Sequence, residues 1–217
     1  MAYYSKEAEQ KIAEIKKTGT TTVGVMCGKA VVLGAERKAT MGSMVANKNA
    51  RKILQLDEKM AMTIAGVVGD AQALERYIKA EVKLFKLNEG RNITVKGAAN
   101  LITNMLYWRR FYPYFVQLVV GGFDTEPHLY SFDPSGSMME EKEYFSTGSG
   151  SPFALGVLED NYKPNIEVDA AKRIVVRAIR AAMERDAFSG GTGIDLVVID
   201  SGGFHAVPDE EVKKLMK

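Results

Sequence analysis

Apolar residues fall into short blocks at the start of the chain, then recur at helical spacing, and these two periods alternate to the end. Residues 21–26 and 30–35 are Thr-, Val- and Ala-rich blocks around a turn at Gly28-Lys29, which predicts a β-hairpin. Residues 41–49 are polar and contain a glycine, as expected of a loop or irregular strand. Residues 53–56 predict a short strand, and 60–68, small and β-branched up to Gly69, predict a buried one. The period then changes. Leu74, Ile78, Ala80, Val82 and Leu84 or Phe85 recur at helical spacing through residue 88, with Asp70 as the expected N-cap. Residues 94–110 predict a second helix, carrying Ala98, Leu101, Ile102, Met105 and Leu106, with Pro113 at or beyond its end. Strands return at 115–121 and 128–133, the latter ending in the turn Asp133-Pro134-Ser135-Gly136. Residues 144–146 lead into a Gly- and Ser-rich loop at 147–151. Helices follow at 152–159 and 168–186, then a strand at 194–199, a turn at 201–203, a short strand at 204–207 and a polar tail.

The order is strands, two helices, strands, two helices, strands. Without regular βαβ alternation a doubly wound fold is disfavoured. Paired helices between antiparallel hairpins predict an α+β layered sandwich, with two sheets inside and helices on both outer faces. The sheet that begins at Thr20 is then covered on both sides, in keeping with its apolar, glycine-punctuated strands. Residues 1–17 mix Lys and Glu; a helix over 5–17 would carry Ile12 and Ile15, too little apolar area to pack firmly. This segment reads as an appendage, either a tail or a removable pro-segment.

Composition narrows the classes. The 217 residues suffice for one domain with a full core, and 46% hydrophobic with 26% charged residues fits a globular protein. A net charge of +2, scattered without a basic stripe, gives nucleic-acid binding little support. No apolar run is long enough for a membrane span, and the first residues lack a signal peptide's apolar centre. A single cysteine, Cys27, excludes an internal disulfide and a cysteine-based metal cluster, and suits a reducing compartment.

The two histidines, His128 and His205, belong to neither a Gly-x-Ser-x-Gly elbow nor a His-Glu-x-x-His helix, so serine hydrolase and zinc protease chemistry has no signature. General-base work then falls to a carboxylate, a lysine or an amine. The run Gly19-Thr20-Thr21-Thr22-Val23-Gly24 offers an amine. Its threonines are either the β-branched edge of a strand or, if the Gly19–Thr20 bond is cut, an N-terminal nucleophile whose α-amine titrates near 8. Glu36 follows one apolar strand and Lys52 precedes another, so adjacent strand ends would pair them, as a rim salt bridge or as groups that stabilise an alkoxide. Asp186 and Ser189 either face one site or terminate a helix. Gly66, inside a buried strand, marks a bulge or a close approach, and beside a nucleophile its N–H could receive an oxyanion. The loop Gly148-Ser149-Gly150 lacks the Gly-Lys-Ser/Thr ending of a nucleotide-binding loop.

Together these residues resemble the β-type subunits of the 20S proteasome, particularly the archaeal form, from Gly19 to about Gly203. The opening matches at Gly19 to Gly24. The acidic residue ending the second strand corresponds to Glu36, where many members have aspartate; the catalytic lysine to Lys52; and the oxyanion glycine to Gly66 in Thr63-Ile64-Ala65-Gly66-Val67-Val68-Gly69-Asp70. Ser149, Asp186 and Ser189 match the remaining supporting residues. The resemblance implies a four-layer αββα fold of the N-terminal nucleophile hydrolase type, a pro-segment at 1–19 and a catalytic domain at 20–217. It implies a cytoplasmic threonine endopeptidase that needs no cofactor, built into seven-membered β rings capped by α-subunit rings. Unfolded polypeptides would enter through a gated channel, delivered by an ATP-dependent unfoldase. While Gly19–Thr20 is intact the chain would be an inactive precursor. The pocket positions correspond to Ala39, Ala50, Leu54, Ile64 and Val68, small or apolar residues that imply chymotrypsin-like preference. A noncatalytic or unprocessed structural β-type ring subunit is the alternative. The bacterial two-ring threonine protease and a general amidase of the same nucleophile type fit fewer of the segments.

Overall fold

The computed structural model describes residues 19–216; the helix read at 5–17 and most of the pro-segment lie outside the described residues. Among the described residues twelve strands and five helices form a mixed α/β fold. Strands β1 (Thr22–Met26), β2 (Ala30–Glu36), β10 (Tyr144–Thr147), β11 (Ile194–Asp200) and β12 (Gly203–Ala206) build one antiparallel sheet in the order β10-β1-β2-β11-β12. Strands β5 (Ile53–Asp57), β6 (Met60–Gly66), β7 (Val116–Phe123), β8 (Pro127–Phe132) and β9 (Met138–Glu140) follow chain order in a second. The stretch read as a loop or irregular strand is a small hairpin of β3 (Ala39–Met41) and β4 (Met44–Asn47), with a register shift between Ala39 and Thr40.

Side-chain alternation sorts the core into three clusters. Val23 and Val25 of β1 and Val32 of β2 pack on helices α3 (Ser151–Asn161) and α4 (Val168–Arg185). The alternate residues Val31 and Leu33 meet Ala61, Val119 and Leu129 of the other sheet. Met62 and Val120, on that sheet's far face, pack on α1 (Val68–Glu89) and α2 (Val95–Trp108). Strand β2 is buried along all seven residues. A Cβ on Gly34 would stand 2.4 Å from Val175 of α4, so glycine is what lets this helix lie close on the sheet.

The expected faces are largely found. Helix α4 buries Ala171, Ile174, Val175, Ala178, Ile179 and Ala182, the stripe its period predicts. Several boundaries differ by a few residues. Strand β6 ends at Gly66 rather than Val68, and the N-cap of α1 is Val67, not Asp70. Asp70 stands in the first turn, where its carboxylate accepts the Phe115 N–H at 2.9 Å. The tail read as polar contains α5 (Asp209–Leu215), with acids in its first turn, lysines in its last and Val212 buried. Among the described residues no helix is long and apolar enough to cross a membrane.

Candidate active site

Thr20 lies two residues before the start of β1 and is buried, and four separate segments converge on it. Glu36 comes from the end of β2 and Lys52 from the residue before β5. Both are buried, Glu36 completely, so they are not the solvated rim pair that adjacent strand ends allow. Lys52 Nζ donates to Thr20 Oγ1 at 2.9 Å, to the Lys38 carbonyl at 2.5 Å and to Glu36 Oε1. Three acceptors match the three N–H groups of an ammonium. The Lys38 carbonyl is a main-chain contributor that no side-chain pattern could have announced.

The Glu36 carboxylate is held from several sides. It accepts from the Thr21, Lys38 and Gly190 N–H groups at 3.3, 2.6 and 3.0 Å, besides the lysine. Burial raises Glu36 above the ordinary carboxylate range, and the Lys52 charge works against that rise. Burial lowers Lys52 below the ordinary lysine range, opposed in turn by Glu36.

A second network reaches the main chain of Thr20. The Thr20 N–H donates to Ser149 Oγ at 3.2 Å, and Ser149 Oγ donates to Asp186 Oδ2 at 2.6 Å. Ser189 Oγ donates to the same Asp186 oxygen at 2.6 Å and lies 2.6 Å from Thr21 Oγ1. Asp186 is thus both the C-cap residue of α4 and the acceptor that joins the two serines. The hydroxyl of Thr20 donates to the carbonyl of Gly19 at 2.7 Å. This sets the nucleophile candidate against the bond that precedes it.

Gly66 ends β6 with φ 129°, and a Cβ there would stand 2.1 Å from the Phe115 carbonyl oxygen, so this position requires glycine. Ile64 N–H donates toward β5, to Lys52 O at 3.0 Å, and Val67 N–H donates the other way, to Phe115 O at 2.9 Å. Strand alternation therefore turns the Gly66 N–H to the Lys52 side. A cleft of about 620 Å³ opens there, with Gly19, Thr20, Lys52 and Gly66 on its wall. All five pocket positions expected from the resemblance, Ala39, Ala50, Leu54, Ile64 and Val68, line it. Arg51 and Glu75, which the sequence reading left out, line it too. Glu75 is paired with Lys79 at 2.6 Å.

Residues 16–199 match the family model described as "Proteasome subunit". The chain is 47% identical over 205 residues to the proteasome subunit beta of Picrophilus torridus, covering 94% of this chain and 97% of that one. It is 47% identical over 199 residues to that of Methanococcus aeolicus, covering 91% of each. Against that of Methanothrix thermoacetophila it is 47% identical over 200 residues, 92% of this chain and 96% of the other. The chain therefore belongs to the proteasome subunit family, and within it to the β-type subunits.

Proposed function

We propose that this chain is an autoprocessed threonine endopeptidase of a proteasome core, with Thr20 as nucleophile. The observation that carries the reading is the alignment of Lys52 Nζ, Thr20 Oγ1 and the Gly19 carbonyl by two hydrogen bonds, of 2.9 and 2.7 Å. In the uncut chain the Thr20 nitrogen is an amide and has no basicity. Thr20 Oγ1 attacks the Gly19 carbonyl carbon, the C–N bond breaks as the C–O bond forms, and the hydroxyl proton passes to the departing nitrogen. Water then cleaves the ester, leaving a Gly19 carboxylate and a free Thr20 amine. Residues 1–19 are in this reading a pro-segment, and 20–217 the catalytic domain.

In the mature chain the freed amine takes the Thr20 hydroxyl proton. Ser149, held by Asp186 and backed by Ser189, orients that amine. The Lys52 ammonium stabilises the developing alkoxide, and Glu36 holds the ammonium in place. The Gly66 N–H receives the oxyanion of the substrate carbonyl. The product amine leaves, and water releases the acyl group from Thr20. The apolar part of the cleft supports chymotrypsin-like preference for large apolar side chains before the cut. The three core clusters support the four-layer αββα arrangement of N-terminal nucleophile hydrolases. Family membership supports assembly with other proteasome subunits. The reading extends this to seven-membered β rings, α-ring caps, an ATP-dependent unfoldase, unfolded substrates and a cytoplasmic location.

The test is the mass of the chain in assembled particles. Wild type is expected to begin at Thr20, and Thr20→Ala to keep residues 1–19 and cleave no peptide. Peptide hydrolysis by the full-length chain, or by the Thr20→Ala particle, would overturn the proposal.

A further inference from the structure

The layer between the two sheets is apolar, filled by residues such as Val31, Leu33, Ala61, Val119 and Leu129, but three threonines interrupt it. Thr63 Oγ1 of β6 donates to Thr22 Oγ1 of β1 at 2.9 Å. Thr22 Oγ1 lies 2.7 Å from Thr147 Oγ1 of β10, where either hydroxyl can be the donor because an oxygen that accepts from Thr63 keeps a second lone pair. Thr22 and Thr63 are fully buried, and Thr147 nearly so.

Each of these strands ends in or next to a different part of the site. Thr22 stands two residues after Thr20 on β1, Thr63 three before Gly66 on β6, and Thr147 two before Ser149 at the end of β10. The hydroxyl chain thus crosses from one sheet to the other and joins the strand that follows the nucleophile to the strand that ends in the oxyanion N–H and to the one that leads to the partner of the Thr20 nitrogen. Packing does not ask for these hydroxyls, because valine has the same shape. A buried hydroxyl is costly unless paired, and replacing a whole paired set by apolar groups of equal shape can leave stability nearly unchanged. What valine cannot supply is direction. Apolar contact between sheets is non-directional, whereas an O–H···O bond fixes both a distance and an angle.

We propose that Thr22, Thr63 and Thr147 are positioning residues, whose hydroxyl chain sets the spacing between the two sheets and so the placement of Thr20 Oγ1 relative to the Gly66 N–H. The inference rests on the reading of Thr20 as nucleophile and Gly66 as oxyanion donor.

The experiment compares Thr63→Val and Thr63→Ser in assembled, processed particles, with a Thr22→Val/Thr63→Val/Thr147→Val triple variant beside them. Thr63→Val is expected to lower kcat about tenfold or more, the scale of a small misplacement at a reacting centre, with KM within about twofold. Thr63→Ser is expected to restore kcat, and the triple variant to melt near wild type while hydrolysing slowly. Wild-type kcat in Thr63→Val, or equal losses in the Val and Ser variants, would overturn the proposal. Should Thr63→Val arrive unprocessed, the mass at the Gly19–Thr20 bond becomes the readout. Processing by Thr63→Ser alone supports the proposal, and failure of both overturns it. Thr20→Ala in the same series separates the underlying reading, since hydrolysis surviving that change removes the nucleophile whatever Thr63 does.

Discussion

Two ion pairs leave consecutive residues in opposite directions. Glu36, the last residue of β2, turns inward to Lys52, and both partners are buried. Arg37 turns toward the surface, where it donates from Nη1 to Asp209 of α5 at 3.0 Å and from Nε to Asp195 of β11 at 2.8 Å. Their proton equilibria move oppositely. In the buried pair desolvation dominates, raising the carboxylate and lowering the amine, so the pH window in which both are charged is narrower than for free groups. In the outer pair the hydrogen bond dominates, lowering Asp209 and raising Arg37, so the window widens. The same pairing of charges thus serves two purposes. Where water is excluded it leaves a cation poised on a hydroxyl, and where water reaches it fastens a helix to the sheet.

The hardest test of this contrast is removal of the buried cation. Lys52→Ala takes the only side-chain cation from Thr20 Oγ1 among the contacts described and leaves Glu36 buried without it. Breaking a buried pair on one side costs about 3–5 kcal/mol, and Glu36, already pushed toward its neutral form, relieves part of this by taking up a proton. Hydrolysis is expected to fall at least about a thousandfold, and the Gly19–Thr20 bond to stay intact. Unchanged hydrolysis of an apolar reporter peptide by assembled Lys52→Ala particles would remove the lysine from the mechanism.

A middling effect is expected from pH. A lysine lowered by burial binds fewer protons folded than unfolded, so it loses its charge before its ordinary value of 10.5 is reached. Hydrolysis that needs the ammonium should therefore decline on the alkaline side at a pH below 10.5, in particles that remain assembled. A rate that stays level through that value would mean the cation is not required. Asp209 gives the opposite sign. Its lowered value contributes stability that is present above the ordinary carboxylate range and lost as pH falls through the lowered one.

The two pairs also differ in how far the sequence announces them. Short-range signals are legible, such as the turn at Gly28-Lys29 between β1 and β2 and the apolar stripe of α4. The contacts that make the site are long-range, and neither period nor propensity encodes them. Glu36 and Lys52 are recognisable only as strand-end charges, and nothing local says whether such charges face water. Ser149 comes through resemblance rather than chemistry, because a hydroxyl in a Gly-rich loop has many uses. Asp70 misleads because a carboxylate in the first turn of a helix looks like a cap, while here it binds the Phe115 N–H across 45 residues. Helix α5 did carry a signal, with Pro208 followed by three acids and then two lysines. Its single buried residue, Val212, is too little for a hydrophobic period to reveal.

The smallest effect is expected where one partner of the pair is exposed. Arg37→Ala removes the links to Asp195 and Asp209, but the Asp209 side chain is 56% exposed and water already screens it. The cost should be about 0.5–1 kcal/mol, a fall of about 1–4 °C in melting temperature for a chain of this size. The main-chain bond from Arg37 N to Gly190 O, at 3.0 Å, survives the substitution, and with it the loop whose Gly190 N–H supports Glu36. Hydrolysis by Arg37→Ala particles is thus expected within about twofold of wild type, the change reporting only a loosened α5. A loss as deep as that of Lys52→Ala would break the comparison, because one residue along the chain and a shell of water would no longer separate a structural charge from a chemical one.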